Sequence, residues 1–190
     1  MLQSPLKAIL DACVIFRATL RDTLLRAAEQ RIYEVYWSDI ILEEASRNLI
    51  ESGTMSPEQA QRLLAAMRQA FSAATVRDFE LLIPAMTNDE KDRHVVAAGV
   101  KAGVHIIVTS NRKDYPAQSL EPFQIQVKSP DEFLMLLFDK APEKMVQIVI
   151  QQAASLRKPA KTLAEVLDDI AAQAPQFAAL VHSELNFFGE

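Results

Sequence analysis

Two short runs of the chain, Lys7-Ala8-Ile9-Leu10 and His105-Ile106-Ile107-Val108-Thr109, are apolar on both faces, the pattern of strands buried inside a parallel sheet. The first ends at Asp11, and the second closes into the polar turn Ser110-Asn111-Arg112-Lys113-Asp114 before Pro116. Helical patterns separate them. Leu20, Leu24, Leu25 and Ala28 recur at helical spacing, and Val35-Tyr36-Trp37 reads as a second short strand. Ser38 then offers an N-cap to a helix with Ile41, Leu42, Ala45 and Leu49 on one face, ended by Gly53. Ser56-Pro57-Glu58-Gln59 combines an N-cap serine, a first-turn proline and a capping-box glutamine, predicting a helix through about Ala73. Pro84 and Asn88 punctuate the next connection, Glu90 to Ala102 is helical with Gly103 ending it, and Gln124 to Val127 is a weaker last strand.

Strands alternating with helices predict a parallel α/β layer whose ligands bind beyond the carboxyl ends of the strands. From Ser129 onward no strand signal remains. Ser129-Pro130-Asp131-Glu132 and Thr162-Leu163-Ala164-Glu165 look like helix starts, and Pro142, Pro159 and Pro175 separate helical segments. The expected organisation is an α/β domain over 1–128 and an all-helical extension over 129–190, with Phe133, Leu136, Leu137, Phe138, Ile148, Leu163, Leu167 and Phe177 as its apolar positions. No internal repeat or low-complexity segment interrupts this pattern.

Composition narrows the function classes. A hydrophobic fraction of 49% with 24% charged residues is that of a folded globular chain rather than a disordered one. No apolar run reaches the roughly 18 uncharged residues of a membrane span. The only signal-like stretch contains Asp11, so no membrane association and a cytoplasmic location are expected. The single cysteine, Cys13, excludes an internal disulfide and a cysteine-rich metal site, and it reads as a small buried hydrophobe. The net charge of −5 repels a polyanion at long range, so nucleic-acid contact needs a local basic patch or bound cations that reverse the field.

Acids sit where such cations could bind. Asp11 ends the first strand, while Asn111 and Asp114 follow the strand at 106–109, so parallel strands bring them to one edge. Glu44 lies one turn into its helix, and Asp92 lies in the first turn of another, within Asn88-Asp89-Glu90-Lys91-Asp92. Taken singly, each has an ordinary structural role as a cap, a dipole partner or a turn former. Together they form a set of oxygen ligands suited to Mg²⁺ or Mn²⁺, the chemistry of phosphodiester hydrolysis by an activated water.

The chain resembles PIN-domain ribonucleases, including the VapC toxins of bacterial toxin–antitoxin pairs, over about residues 6–130. The resemblance is carried by Ile9-Leu10-Asp11-Ala12-Cys13-Val14-Ile15 and by Ser38 to Leu49 with Leu42-Glu43-Glu44-Ala45. It is carried most specifically by Asp89-Glu90-Lys91-Asp92-Arg93-His94-Val95-Val96-Ala97-Ala98-Gly99 and Ile107-Val108-Thr109-Ser110-Asn111-Arg112-Lys113-Asp114-Tyr115-Pro116. Ala12 departs from the pattern, in which a hydroxyl residue is common. The resemblance implies a PIN-like three-layer fold, with a central parallel sheet flanked by helices, and a metal-dependent endoribonuclease with Asp11, Glu44, Asp92 and Asp114 as metal ligands. Asn111, Thr109 and Asp89 would support the site, with Glu43 exchangeable for Glu44 as the second acid. It also implies an RNA substrate, a cognate antitoxin partner and a homodimer. The helical tail is similar to C-terminal extensions of one VapC-like subgroup.

Arg17, Arg21, Arg112 and Lys113 flank the expected cleft and are candidate phosphate contacts. His94, beside Arg93 and before an apolar face, reads as a packing or capping residue, and His105 and His182 carry less signal. Tyr33, Tyr36 and Trp37 could stack on bases, but strands of these types are more often core. The competing reading is a catalytically weak PIN-like module that binds RNA or a protein.

Overall fold

The computed structural model describes residues 5–157 and 159–187, which divide into two compact units: 5–16 with 34–128, and 17–33 with 129–157 and 159–187. The elements in chain order are β1 (Lys7–Leu10), α1 (Ala12–Phe16), α2 (Ala18–Glu29), β2 (Glu34–Ser38), α3 (Asp39–Glu51), α4 (Pro57–Ala70), β3 (Thr75–Val76), α5 (Arg93–Ala102), β4 (Ile106–Val108), α6 (Ala117–Leu120) and β5 (Gln126–Lys128). Four further helices follow: α7 (Pro130–Lys140), α8 (Pro142–Ser155), α9 (Leu163–Ala171) and α10 (Pro175–Phe187). Short 3₁₀ turns span Glu80–Ala85, Glu90–Asp92, Arg112–Asp114 and Glu121–Phe123.

In the first unit all five strands are parallel, in the order β3-β2-β1-β4-β5. The register pairs Ile9 with Tyr36 on one side and Ile107 on the other, so β1 is central. Chain order reverses direction between β1 and β4, and that switch point opens a crevice beyond their carboxyl ends. The apolar runs are buried as the sequence predicts: Ala8, Ile9, Leu10, Ile106, Ile107 and Val108 are at most 3% exposed.

Local chemistry starts and stops the helices around the sheet. Ser38 accepts from the Ile41 N–H at 3.2 Å, and α3 buries Ile41, Leu42, Ala45 and Leu49, the face its periodicity predicts. The capping box at Ser56 and Gln59 forms at the start of α4. That helix stops at Ala70 rather than near Ala73, because Phe71 leaves helical geometry and its ring meets Trp37 edge-on at 5.8 Å. α5 crosses β1, β2, β3 and β4. Gly99 leaves room for the Val104 side chain, since a Cβ there would lie 3.1 Å from Val104 Cγ2, and Gly103 ends the helix in the left-handed conformation at φ 63°. The first turn predicted for this helix is instead a 3₁₀ turn, Glu90–Asp92, with the α-helix beginning at Arg93.

The second unit is helical among its described residues. Tyr33 packs edge-on against Phe133 at 5.0 Å and donates to the Leu24 carbonyl at 3.2 Å. Buried Thr23 donates to Gln152 Oε1 at 2.8 Å, and Gln152 Nε2 returns a hydrogen bond to the Thr19 carbonyl at 2.9 Å. These contacts tie α2 to α8. Capping boxes at Ser129 with Glu132 and at Thr162 with Glu165 start α7 and α9.

Candidate active site

Asp11 is the first residue beyond β1 and is 5% exposed. Its N–H donates to the Val108 carbonyl at 3.1 Å, which fixes it to the carboxyl edge between β1 and β4. Four donors hold its carboxylate. Oδ1 accepts from the Ala12 N–H at 2.6 Å, while Oδ2 accepts from the Thr109 hydroxyl at 2.6 Å, the Tyr115 hydroxyl at 3.3 Å and the Cys13 thiol at 3.5 Å. Thr109 is fully buried, and its Oγ1 in turn accepts from the Asn111 N–H at 3.0 Å. Asn111 thus reaches Thr109 through its backbone, and the amide side chain lies exposed.

Two members of this shell, Cys13 and Tyr115, were not singled out by sequence reasoning for a role at Asp11. Cys13 receives the Ser110 N–H at 3.4 Å, and burial with the charge of Asp11 pushes its thiol up to about 11, so it stays a protonated donor. Tyr115 is buried, and desolvation followed by the charges of Asp11 and Asp92 raises its hydroxyl well above the ordinary tyrosine value. Their signal was position: Cys13 lies two residues past Asp11, and Tyr115 follows Asp114.

The acids converge electrostatically on Asp92. Its carboxyl is pushed up to about 6, first by burial and then by the negative charges of Asp11, Asp114, Glu44 and Asp89. The 3₁₀ turns before α5 and after β4 are joined by the Asp89 N–H donating to the Asp114 carbonyl at 3.1 Å. The Asp89 side chain accepts from the Lys91 N–H at 3.1 Å and so caps its own turn. Glu44 is half-buried on α3 and faces His94 of α5, Oε2 to Nε2 at 3.7 Å, which holds its carboxyl below the usual range. Glu43 is exposed.

Some polar groups here lack partners among the described residues. Asn88 is 3% exposed with neither side-chain amide atom hydrogen-bonded, and the buried His94 Nδ1 is likewise unpaired. Among the described residues no three His, Cys, Asp or Glu side chains close around a point as a metal shell would. The donor set is all oxygen and carries surplus negative charge, which fits a hard divalent cation.

The predicted basic contacts are divided between the two units. Arg112 and Lys113 are exposed and line a concavity of about 600 Å³ with Tyr115 and Pro116. Arg17 and Arg21 belong to the helical unit, where Arg21 is 7% exposed, a poor position for meeting a phosphate. Tyr33 and Trp37 are core residues at 2% and 0% exposure, and the Tyr36 hydroxyl donates to Glu34 at 3.0 Å.

Asp92 makes a thermodynamic prediction. The folded protein holds its proton up to about pH 6, whereas the ordinary value is 3.8, so stability falls as pH rises through that window and stays reduced above it. In metal-free buffer at neutral pH, Asp92→Asn is expected to raise the melting temperature by about 2–4 °C. That corresponds to about 1 kcal/mol, discounted because the carboxyl is partly exposed. The difference should close below about pH 4. A variant that melts lower than wild type at neutral pH would contradict the convergence of charge.

Comparison with known proteins agrees with this architecture. Residues 7–113 match the PIN domain family, and residues 130–183 match the VapC50 C-terminal domain. The chain is 40% identical over 98 residues to a Mycobacterium tuberculosis protein named "Putative ribonuclease VapC50", covering 52% of this chain and 58% of that relative's length. No solved structure gives a significant match. With its five-stranded parallel sheet, its acids at the β1–β4 switch point and more than half its length matched, the chain belongs to the PIN domain family.

Proposed function

We propose that this chain is a metal-dependent endoribonuclease, the toxin of a bacterial type II toxin–antitoxin pair. The observation that carries the reading is the raised carboxyl of Asp92, which feels Asp11, Asp114, Glu44 and Asp89 at once. The relative's name, which includes ribonuclease, supports RNA as the substrate.

Asp11, Glu44, Asp92 and Asp114 would hold Mg²⁺ or Mn²⁺, with Glu44 favoured over Glu43 because it is the half-buried one facing α5. A bound divalent cation supplies a Lewis acid that makes water nucleophilic at neutral pH and steadies charge on phosphate oxygens. Thr109, Tyr115 and Cys13 orient Asp11 by donating to one of its oxygens. Asn111 supports Thr109 through its backbone, and Asp89 joins the two acid-bearing turns. His94 positions Glu44. Arg112 and Lys113 remain candidate RNA contacts, while an antitoxin partner, homodimer formation and a cytoplasmic location follow from the toxin reading. No helix among the described residues is long and apolar enough to cross a membrane.

The second reading, a PIN-like binding module without turnover, is favoured by one observation: among the described residues no three potential ligands are already gathered into a metal shell. The test is cleavage of labelled single-stranded RNA by the full chain in EDTA and with added Mg²⁺ or Mn²⁺. The nuclease reading expects cleavage only with the cation. Tight RNA binding without cleavage under any cation would favour the binding module.

A further inference from the structure

We infer that a concave pocket at the β3 end of the sheet is a phosphate subsite for the RNA backbone, a few nucleotides from the acid site; this rests on the ribonuclease reading. The pocket, about 350 Å³, is lined by Arg68, Ser72, Thr75 and Arg77. No carboxylate lines it, in a chain whose net charge is −5.

Its position follows from the topology. Arg77 comes directly after β3, and Asp39, the partner of Arg68, comes directly after β2, so both stand at the carboxyl edge that carries Asp11 after β1. β3 lies two strand spacings from β1, about 10 Å. A single strand laid across that edge with one phosphate among the acids carries a later phosphate to the pocket.

Its chemistry suits a phosphate rather than a base. Arg68 in the last turn of α4 gives Nε and Nη2 to one oxygen of Asp39, at 3.1 and 2.8 Å. The Arg77 guanidinium is exposed and has no hydrogen bond or ion pair with any described residue. Of the two guanidiniums only that of Arg68 is paired with a carboxylate, so the positive charge of Arg77 has no ion-pair partner among the described residues. The Thr75 hydroxyl oxygen accepts from Trp37 Nε1 at 3.2 Å, which leaves its own proton to donate, and Ser72 adds a second hydroxyl. Guanidinium forks and hydroxyl donors around a small concavity match the tetrahedral acceptors of a phosphodiester. The pocket is thus the local basic patch that an acidic chain needs to hold a polyanion.

The test uses the full chain and a fluorescein-labelled single-stranded RNA, with anisotropy read in EDTA over a series of salt concentrations. Wild type, Arg77→Gln and Arg62→Gln are compared, the last removing the same charge from an exposed position earlier on α4. Arg77→Gln should weaken binding roughly 5-fold and lower the salt slope by about 0.7, while Arg62→Gln changes neither. With Mg²⁺ or Mn²⁺ present, Arg77→Gln should raise KM and leave kcat unchanged. Unchanged binding by Arg77→Gln in a chain that still cleaves RNA overturns the pocket and leaves the nuclease reading standing. Equal losses for Arg77→Gln and Arg62→Gln overturn it as a mere effect of net charge. A wild type that neither binds nor cleaves RNA overturns the nuclease reading, and the pocket with it.

Discussion

Asp11→Asn is expected to lower metal-dependent RNA cleavage by on the order of 10²–10³-fold, the range seen when one electrostatic group aimed at a reacting centre is lost. The substitution keeps size and shape but removes the negative charge at the sheet's switch point. It also places an amide NH₂ or a neutral oxygen where three donors from Thr109, Tyr115 and Cys13 meet one carboxylate oxygen. An NH₂ there would face donors with a donor, so the amide is driven to turn its oxygen toward them and its NH₂ toward the Ala12 N–H. Either orientation spoils a contact that the carboxylate satisfies. Folding should survive, because relief of repulsion with Asp92 offsets part of the lost hydrogen bonding. Cleavage at the wild-type rate by a folded variant would remove Asp11 from the site.

The largest stability effect is expected in the helical unit. Asp131 is 7% exposed on α7, and its carboxylate accepts from the Gln176 N–H at 3.2 Å, the Phe177 N–H at 3.0 Å and Gln176 Nε2 at 3.2 Å. Those backbone donors belong to the first turn of α10, which opens with Pro175 and has Ala174 rather than a capping residue before it. The N-cap is therefore supplied from 45 residues away. Asp131→Ala should cost about 2–3 kcal/mol, since it strands the buried Phe177 N–H, removes the partner of the Gln176 N–H and also loses the favourable charge at a helix N-terminus. Denaturant melts would show the loss, and amide exchange should speed up first at Gln176 and Phe177. Unchanged exchange there would contradict this account of α10.

Features written in consecutive residues were readable from sequence. The capping boxes at Ser56, Ser129 and Thr162, the buried face of α3 and the left-handed Gly103 each depend on neighbours within a turn or two. β3 was not legible because it is only Thr75–Val76, too short for any alternation to appear. The periodicity of α2 shows that Leu20 and Leu24 are buried but not what buries them, and it took Thr23 meeting Gln152 to tie this helix to α8.

At the candidate site, the placement of Asp11 past the end of β1, and of Asn111 and Asp114 past the end of β4, followed from two apolar runs and a parallel sheet, whereas Thr109, expected as the last strand residue, stands just beyond β4. The donors around Asp11 could not be read the same way. Cys13 was expected to be a plain buried hydrophobe, yet its thiol touches both Asp11 and Thr109 at 3.5 Å. Tyr115 reaches Asp11 across 104 positions of sequence. Such contacts depend on side-chain direction at the end of a 3₁₀ turn, which no spacing rule encodes. The pocket of Arg68 and Arg77 escaped for a related reason, since α4 and the segment after β3 meet only once the sheet has formed.

The acids around Asp92 are proposed to act together as a cation site. The most direct test is calorimetric titration of the metal-free chain with Mn²⁺ near neutral pH, beside the Asp92→Asn variant. Wild type should bind saturably, more weakly as pH falls below about 6, where Asp92 takes up its proton, and the variant should show no saturable binding. Absence of saturable binding by wild type, or equal binding by both proteins, would contradict the proposal.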